Sequence, residues 1–153
     1  MEKYLEPTMK ESLLRFLIPT SGLVVAFYMA TQGHLLLSSI SIVMSILFFW
    51  KCKRNFLLRK TGYPSNEVNY QNCKKAAVIH GWGTVSDIKM VRLEFETTAS
   101  LGSWGELITI VFTSTGIYIN SRPSPLKRPS IVTLGKNSAN EQKVLDMLER
   151  NSS

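Results

Sequence analysis

The sequence predicts an α+β protein in which a two-helix transmembrane hairpin precedes a small antiparallel sheet of about five strands with a C-terminal amphipathic helix. Three observations support this prediction. The run from Phe16 to Trp50 contains no Asp, Glu, Lys or Arg. After residue 75, apolar and polar residues alternate in several short segments, as they do in half-buried strands. A helix-start signal of the form S-x-x-E lies near the C-terminus.

The uncharged run predicts two membrane-spanning helices, at about 13–30 and 35–50. One continuous helix over Phe16–Trp50 would be about 52 Å long, whereas a hydrocarbon core is only about 30 Å thick. The polar stretch Thr31–His34 is turn-like and divides the run. Tyr28-Met29-Ala30 is a poor signal-peptide cleavage site, which favours a retained anchor. A soluble protein with a buried helical hairpin is the alternative.

Small residues recur along both predicted helices and indicate the faces on which the helices pack. Helices in lipid associate through close contact and weak side-chain hydrogen bonds, so stripes of small residues mark their contacts. The alternative is that these residues are merely tolerated. The predicted packing residues are Gly22, Ala26 and Ala30 on the first helix, and Ser38, Ser41 and Ser45 on the second.

The net charge of +7 is concentrated in one short segment. Residues 1–50 carry three cations and three acids, residues 51–60 carry five cations and no acid, and residues 61–153 carry ten cations and eight acids. This distribution argues against nucleic acid as a partner, because nucleic-acid domains spread cations over a face. It is typical of a topology signal at the membrane interface. The predicted interface residues are Trp50, Lys51, Lys53, Arg54, Arg59 and Lys60.

The positive-inside rule then predicts an inner-membrane protein whose N- and C-termini are both cytoplasmic. The predicted organisation is a cytoplasmic N-terminal segment over 1–12, the hairpin over 13–50, a basic juxtamembrane connector over 51–74 and the α+β domain over 75–153. Membrane lipid is one expected partner. The oligomeric state is left open.

Alternation and turn residues predict the strands of the domain. In Val85–Glu96, Val91, Leu93 and Phe95 share one face. In Leu107–Thr113, Ile108, Ile110 and Phe112 point inward. The turn Thr113–Gly116 joins that strand to the next, with Gly116 at a position of positive φ. The other predicted segments are strands at Ala76–His80, Ile117–Asn120 and Ile131–Leu134, and an exposed loop at Ser121–Pro129.

The C-terminal helix is predicted from a capping box at Ser138 and Glu141. Val144, Leu145 and Leu148 follow on one helical face. An antiparallel sheet needs its apolar face covered, and this helix is the expected cover.

Catalytic motifs, a metal-ligand set and a cofactor signature are not found, so an enzyme is not predicted. Glu94 and Glu96 share a strand face with Arg92, which favours a solvated charged face over acid–base chemistry. Trp82 and Trp104 each lie beside glycines, so each indole either projects toward a partner or packs on the core. The basic loop either touches anionic headgroups or is an ordinary surface loop. The candidate partner-binding residues are His80, Trp82, Trp104, Arg122, Lys127 and Arg128.

The order of elements resembles small bacterial inner-membrane proteins with a pleckstrin-homology-like cytoplasmic domain, such as the YcxB-like group. The stretch ELITIVFTSTGIYINS is similar to a hairpin of such domains, in which a strand passes through a polar turn and a Gly into a second strand. The resemblance implies a membrane-anchored α+β domain and identifies no functional residues.

Three functional classes follow. The first is an accessory or regulatory subunit of a membrane complex, whose cytoplasmic domain binds another protein. The second is an immunity or exclusion protein that neutralises a toxin or a transfer apparatus. The third is a membrane-bound enzyme with an unrecognised site.

Overall fold

A computed structural model describes residues 3–99, 104–126 and 135–150. The chain forms two compact units. One is the helical hairpin, Leu5–Phe56. The other contains the described residues of Met1–Tyr4 and of Leu57–Ser153. The predicted α+β class is confirmed, with four helices and one antiparallel sheet in the described part of the chain.

The hairpin consists of α1 (Met9–Thr31) and α2 (Leu35–Arg54). Both helices are four residues longer than predicted at the end away from the connecting turn. α1 starts early because Thr8 and Glu11 form a capping box: the Glu11 amide donates to Thr8 Oγ1 over 3.3 Å, and the Thr8 amide donates to Glu11 Oε2 over 2.8 Å. At the turn, Gly33 has a φ of +81°, a conformation that glycine adopts without strain.

The sheet has six strands in the order β1-β2-β6-β5-β4-β3, all antiparallel, rather than about five. One edge strand, β1, comes from the N-terminal segment and pairs with β2. The strands are β1 (Lys3–Tyr4), β2 (Leu57–Lys60), β3 (Gly83–Ile88), β4 (Arg92–Glu96), β5 (Glu106–Thr113) and β6 (Gly116–Pro123).

The predicted strand Ala76–His80 is wrong, because this segment ends α3 (Glu67–Ile79). The helix begins at Asn66, whose side chain accepts a hydrogen bond from the Asn69 amide over 2.8 Å. Cys73 and Ala77 then recur at helical spacing on the buried face. The predicted connector over 51–74 holds the end of α2, all of β2 and the start of α3.

The predicted strand Val85–Glu96 is two strands, β3 and β4, joined by a turn at residues 89–91. Met90 has a φ of +56° in that turn, and Val91 is exposed rather than on the core face. Leu93 and Phe95 are buried as predicted. Alternation alone did not reveal the turn, because Lys-Met-Val lacks the Gly, Asn or Asp that usually marks one.

The β5–β6 hairpin confirms its prediction most closely. Ile108, Ile110 and Phe112 are buried, and Gly116 has a φ of +120°. β6 continues past its predicted end to Pro123. The prediction of an exposed loop is wrong for Ser121, Arg122 and Ser124, all of which are buried. The rest of that loop from residue 127, and the predicted strand Ile131–Leu134, lie outside the described residues.

The C-terminal helix α4 (Lys136–Arg150) covers the apolar face of the sheet together with α3, as predicted for a C-terminal helix. Val144 and Leu148 are fully buried against that face. The predicted cap is wrong, because the helix begins before Ser138. Glu141 instead accepts a hydrogen bond from the Ser121 amide on β6 over 3.1 Å.

Replacing Gly116 by Ala is expected to destabilise the α+β unit by about 2 kcal/mol. The residue has a positive φ, and an added Cβ would lie 2.9 Å from Tyr63 O. Gly83→Ala is the matched control, since Gly83 has no positive φ and its nearest contact would be at 3.8 Å. Thermal unfolding of the full chain in detergent, followed by circular dichroism, measures both. Equal melting temperatures for the two variants would contradict the role assigned to Gly116.

Candidate functional site

The contact between α1 and α2 is made by small residues and serine hydroxyls. Ser38 Oγ donates to Ala26 O over 2.8 Å, and Ser41 Oγ donates to Gly22 O over 2.9 Å. A Cβ added at Gly22 would overlap the hydroxyl of Ser45. Ala26, Ser38 and Ser45 are buried, and Ala30 is half-buried. The predicted packing residues thus lie along one seam, except that Ala30 contributes less.

Large apolar side chains cover the outside of the hairpin. Phe27 is 74% exposed and Leu36 75% exposed, whereas Ala26 on the seam is 2% exposed. This arrangement is the reverse of a water-soluble helix pair, which buries its large apolar residues. By length and composition, Glu11–Thr31 and Leu35–Arg54 are each sufficient to cross a membrane.

Aromatic and cationic side chains cluster at the end of the hairpin opposite the Thr31–His34 turn. The rings of Phe16 and Phe49 lie 6.4 Å apart. The Arg15 guanidinium lies 5.2 Å from the Phe49 ring centroid, and the Arg54 guanidinium lies 4.8 Å from that of Trp50. Sequence reasoning selected Trp50 and Arg54 but missed Arg15. The available signal was its position as the last charge before the uncharged run.

The five predicted interface cations belong to two elements. Lys51, Lys53 and Arg54 occupy the last turn of α2, where positive charge interacts favourably with the helix dipole. Arg59 and Lys60 belong to β2. All five side chains are exposed.

The Arg59 side chain is partly exposed and lies close to α4. Its Nη1 lies 3.9 Å from Glu141 Oε2. Burial raises the pKa of Glu141, while the hydrogen bond from the Ser121 amide and the charge of Arg59 lower it. Arg59 is thus a partly exposed cation close to α4.

Trp82 packs on the core and does not project toward a partner. It is 8% exposed, and its ring lies 6.4 Å from Phe95. His80 ends α3 and lies 5.3 Å from the Trp82 ring. Burial lowers the pKa of His80, and the nearby Lys143 lowers it further. Trp82 therefore belongs to the core, whereas His80 is exposed beside it.

Trp104 and Arg122 differ strongly in exposure. Trp104 is 50% exposed, directly before β5. Arg122 is 3% exposed and lies within β6, so the prediction of a surface cation is wrong for it. Lys127 and Arg128 lie outside the described residues. The predicted group of partner-binding residues is therefore not one exposed surface.

Arg122 belongs to a polar network on the sheet face opposite the core. Its Nη1 donates to Thr109 Oγ1 over 3.0 Å and to Asn120 Oδ1 over 3.5 Å. Thr109 donates in turn to Glu94 Oε1 over 3.3 Å. Asn120 Nδ2 donates to Leu57 O over 2.9 Å. The network links β4, β5, β6 and β2, and it involves a threonine and an asparagine that no sequence pattern had distinguished.

The two carboxylates of β4 are engaged rather than freely solvated. Glu94 is paired with Arg92 over 2.6 Å, and its side chain is only 15% exposed. Glu96 accepts a hydrogen bond from Ser124. The charged face predicted from sequence is thus partly buried.

An open groove of about 630 Å³ lies beside the β5–β6 turn. Its walls are held by backbone hydrogen bonds: the Thr61 amide donates to Ile117 O over 3.0 Å, and the Ile117 amide donates to Tyr63 O over 3.1 Å. The groove offers one cation, several hydroxyls and the apolar side chains of Pro64, Met90 and Phe112. Its lining is Lys60, Gly62, Tyr63, Pro64, Ser65, Met90, Phe112, Thr113, Ser114, Thr115 and Gly116.

Tyr118 lies next to this groove with two lysines close by. Lys60 is opposite Tyr118 in the strand register, and Lys3 Nζ lies 4.5 Å from its ring centroid. The hydrogen bond with Thr115 lowers the pKa of Tyr118, and both lysine charges act in the same direction. This side of the sheet therefore favours groups that carry negative charge or accept hydrogen bonds.

The described residues contain no group of three or more His, Cys, Asp or Glu side chains that could hold a metal ion. Comparison of the chain with protein-family models, curated proteins and solved structures gives no match. The YcxB-like resemblance stays a prediction.

Replacing Gly22 by Leu is expected to destabilise the hairpin by roughly 2 kcal/mol, a typical cost of overpacking. The added side chain would meet Ser45 and force the helices apart. Val24→Leu is the control on the same helix, because Val24 is 67% exposed. The loss of helical structure on heating in detergent measures the effect of both substitutions. If Gly22→Leu melts like Val24→Leu, the close approach at the seam is not needed.

Proposed function

We propose that this protein is a membrane-anchored binding module. The hairpin spans the cytoplasmic membrane with both of its ends on the cytoplasmic side. The α+β unit is presented there to another protein, as an accessory or regulatory subunit of a membrane complex. Its role is binding and not catalysis.

The pairing of β1 with β2 carries this proposal. Lys3 is opposite Leu58 and Tyr4 is opposite Leu57, on strands that flank the hairpin in the chain. The Leu5 amide adds a hydrogen bond to Phe56 O over 2.9 Å. Strands that share backbone hydrogen bonds lie in one compartment, because unpaired backbone groups are not tolerated in lipid. The two ends of the hairpin therefore belong on the same side.

The surface of the hairpin supports its placement in lipid. Helices in the core of a soluble protein are mostly buried, whereas only 6% and 17% of the two candidate spans are buried. Seam serines donate to backbone carbonyls, an arrangement used between helices in membranes. Both properties are expected if lipid covers the outward side chains.

The cations support the orientation. The Thr31–His34 turn carries no Lys or Arg, whereas the last turn of α2 carries Lys51, Lys53 and Arg54. Cytoplasmic flanks of membrane helices are enriched in these residues. The flanking end of the hairpin, and with it the α+β unit, is thus assigned to the cytoplasm.

The groove beside the β5–β6 turn is the proposed partner site. Hydrogen bonds hold the backbone of both walls, so little conformational entropy of the protein would be lost on binding. Phe112 and Met90 offer apolar contact, and the Lys60 ammonium and the Ser114 hydroxyl offer hydrogen-bond donors. A peptide segment that carries a carboxylate beside an apolar side chain fits this chemistry.

A disulfide between cysteines at positions 3 and 58 tests the membrane arrangement. Opposed residues in an antiparallel pair have Cβ atoms about 5 Å apart, close to the range that a disulfide spans. Lys3→Cys with Leu58→Cys, in a chain whose free Cys52 and Cys73 are replaced by Ala, is expected to form a bridge when membrane vesicles are oxidised. Gel mobility with and without reductant measures it.

Lys3→Cys with His34→Cys is the control pair and is expected to stay unbridged. In intact cells, a membrane-impermeant maleimide should label a single cysteine at position 34 and not one at position 3 or 58. Labelling at position 58 from outside, or a bridge between positions 3 and 34, would refute the arrangement.

A photo-crosslinking residue at position 114 tests the partner site, because Ser114 lies on the groove wall. Irradiation of native membranes is expected to give one discrete protein adduct from position 114. The same residue at Asp146, exposed on α4, is the control. The adduct should disappear when Lys60→Glu is added, since this change reverses the groove's charge. An adduct that is identical from both positions, or insensitive to Lys60→Glu, would exclude the groove.

A further inference from the structure

A second groove, of about 290 Å³, runs along the hairpin beside the α1–α2 seam. It is lined by Phe16, Pro19, Thr20 and Leu23 of α1 and by Ser45, Ile46 and Phe49 of α2, with Arg15 at one end. All of these residues belong to the same compact unit. The groove is therefore a feature of the hairpin itself.

The interior of this groove is apolar despite its two hydroxyl residues. Ser45 Oγ donates to Ser41 O over 2.8 Å, and Thr20 Oγ1 donates to Phe16 O. Both hydroxyl protons are thus used within their own helices. Pro19 has no amide proton to offer. What remains is a channel walled by Phe16, Leu23, Ile46 and Phe49, which suits a hydrocarbon chain.

Arg15 places a positive charge at the end of this channel. Its guanidinium lies 5.2 Å from the Phe49 ring centroid and 5.9 Å from that of Phe16. Its Nε is shielded from solvent and has no hydrogen-bond partner among the described residues. The ion pairs found among those residues are made by Arg59, Lys74, Lys89 and Arg92.

A shielded guanidinium donor beside lipid is costly unless an anion pairs with it. The nearest acid along α1, Glu11, accepts the Thr8 amide in the capping box. Arg15 as a whole is only half-buried. The phosphodiester of a phospholipid supplies an anion for its accessible guanidinium N–H groups, and guanidinium groups bind phosphate oxygens with well-matched geometry. Its acyl chain then continues into the apolar channel.

We infer that the hairpin holds one phospholipid with an acidic headgroup, its phosphate on Arg15 and one acyl chain between Phe16, Leu23, Ile46 and Phe49. Acidic headgroups are favoured because Lys51 and Lys53 add positive charge at the same end of α2. This inference rests on the proposed placement of the hairpin in the membrane.

Native mass spectrometry of the full chain, released from nanodiscs of phosphatidylglycerol and phosphatidylethanolamine, tests the site. The expected result is one retained phosphatidylglycerol per chain, in preference to phosphatidylethanolamine. Arg15→Gln should reduce retention about tenfold, the loss expected for one charge-assisted hydrogen bond. Leu23→Trp should reduce it as well, by filling the channel while Arg15 is kept.

Two variants are matched controls. Arg54→Gln removes a cation at the same end of the hairpin but outside the groove, and Val24→Trp adds an indole on the exposed face of α1. Both should retain the lipid. Equal retention by Arg15→Gln and the unchanged protein would overturn the inference, and so would an equal loss in Arg54→Gln, which would indicate diffuse attraction.

Extraction of cell membranes at alkaline pH separates this inference from the proposal on which it depends. A chain released by alkali is not an integral membrane protein, and this result would contradict both the proposed membrane placement and the lipid site. A chain that resists extraction but retains no lipid contradicts the lipid site alone.

Discussion

Backbone hydrogen bonds between β1 and β2 join the two parts of the chain that flank the hairpin. Tyr4 and Leu57 are opposite each other, so the chain leaves the sheet for α1 and returns from α2 at neighbouring positions. β2 in turn pairs with β6, the strand that carries Arg122 and borders the groove. β2 is the only described neighbour of β1, so β1 joins the sheet only because the chain returns from α2 into β2.

The two compact units use polar side chains in opposite ways. In the hairpin, serine hydroxyls donate hydrogen bonds to backbone carbonyls at the close contact between the helices, and large apolar residues lie outside. In the α+β unit, the apolar residues are inside, under α3 and α4. There the polar side chains Glu94, Thr109 and Arg122 connect strands across the other face. Each unit is consistent with a different surrounding medium.

The parts that the sequence predicted well are those in which one pattern dominates. The uncharged run predicted two helices and the turn at Gly33, and Gly116 after an alternating strand predicted the β5–β6 hairpin. α3 was missed because Asn69 and Asn72 interrupt its buried face, although both are buried. β2 was missed because Leu57 and Leu58 suggested a continuation of the preceding helix. They form a strand only through their distant pairing with β1, as Arg59 and Lys60 do through theirs with β6.

The functional residues were harder to predict, because their roles depend on long-range contacts. A tryptophan beside glycines looks the same in sequence whether it projects, as Trp104 does, or packs on Phe95, as Trp82 does. An arginine in a basic, proline-rich stretch suggests a surface, yet Arg122 is held inside by Thr109 and Asn120. Arg15 was passed over because its partners Phe16 and Phe49 lie on two different helices.

Phe16 and Phe49 meet near one end of the apolar surface of the hairpin, and the height of that surface affects the surrounding bilayer in the proposed placement. Phe16–Thr31 and Leu35–Trp50 have sixteen residues each, which gives an apolar height of roughly 24 Å. A hydrocarbon core of about 30 Å exceeds that height. In the proposed placement, hydrophobic mismatch draws the two leaflets together around the hairpin at a modest cost per ångström. The same cost sorts short membrane hairpins into thinner regions of membrane, so in that placement bilayer thickness would help to determine the location of the protein.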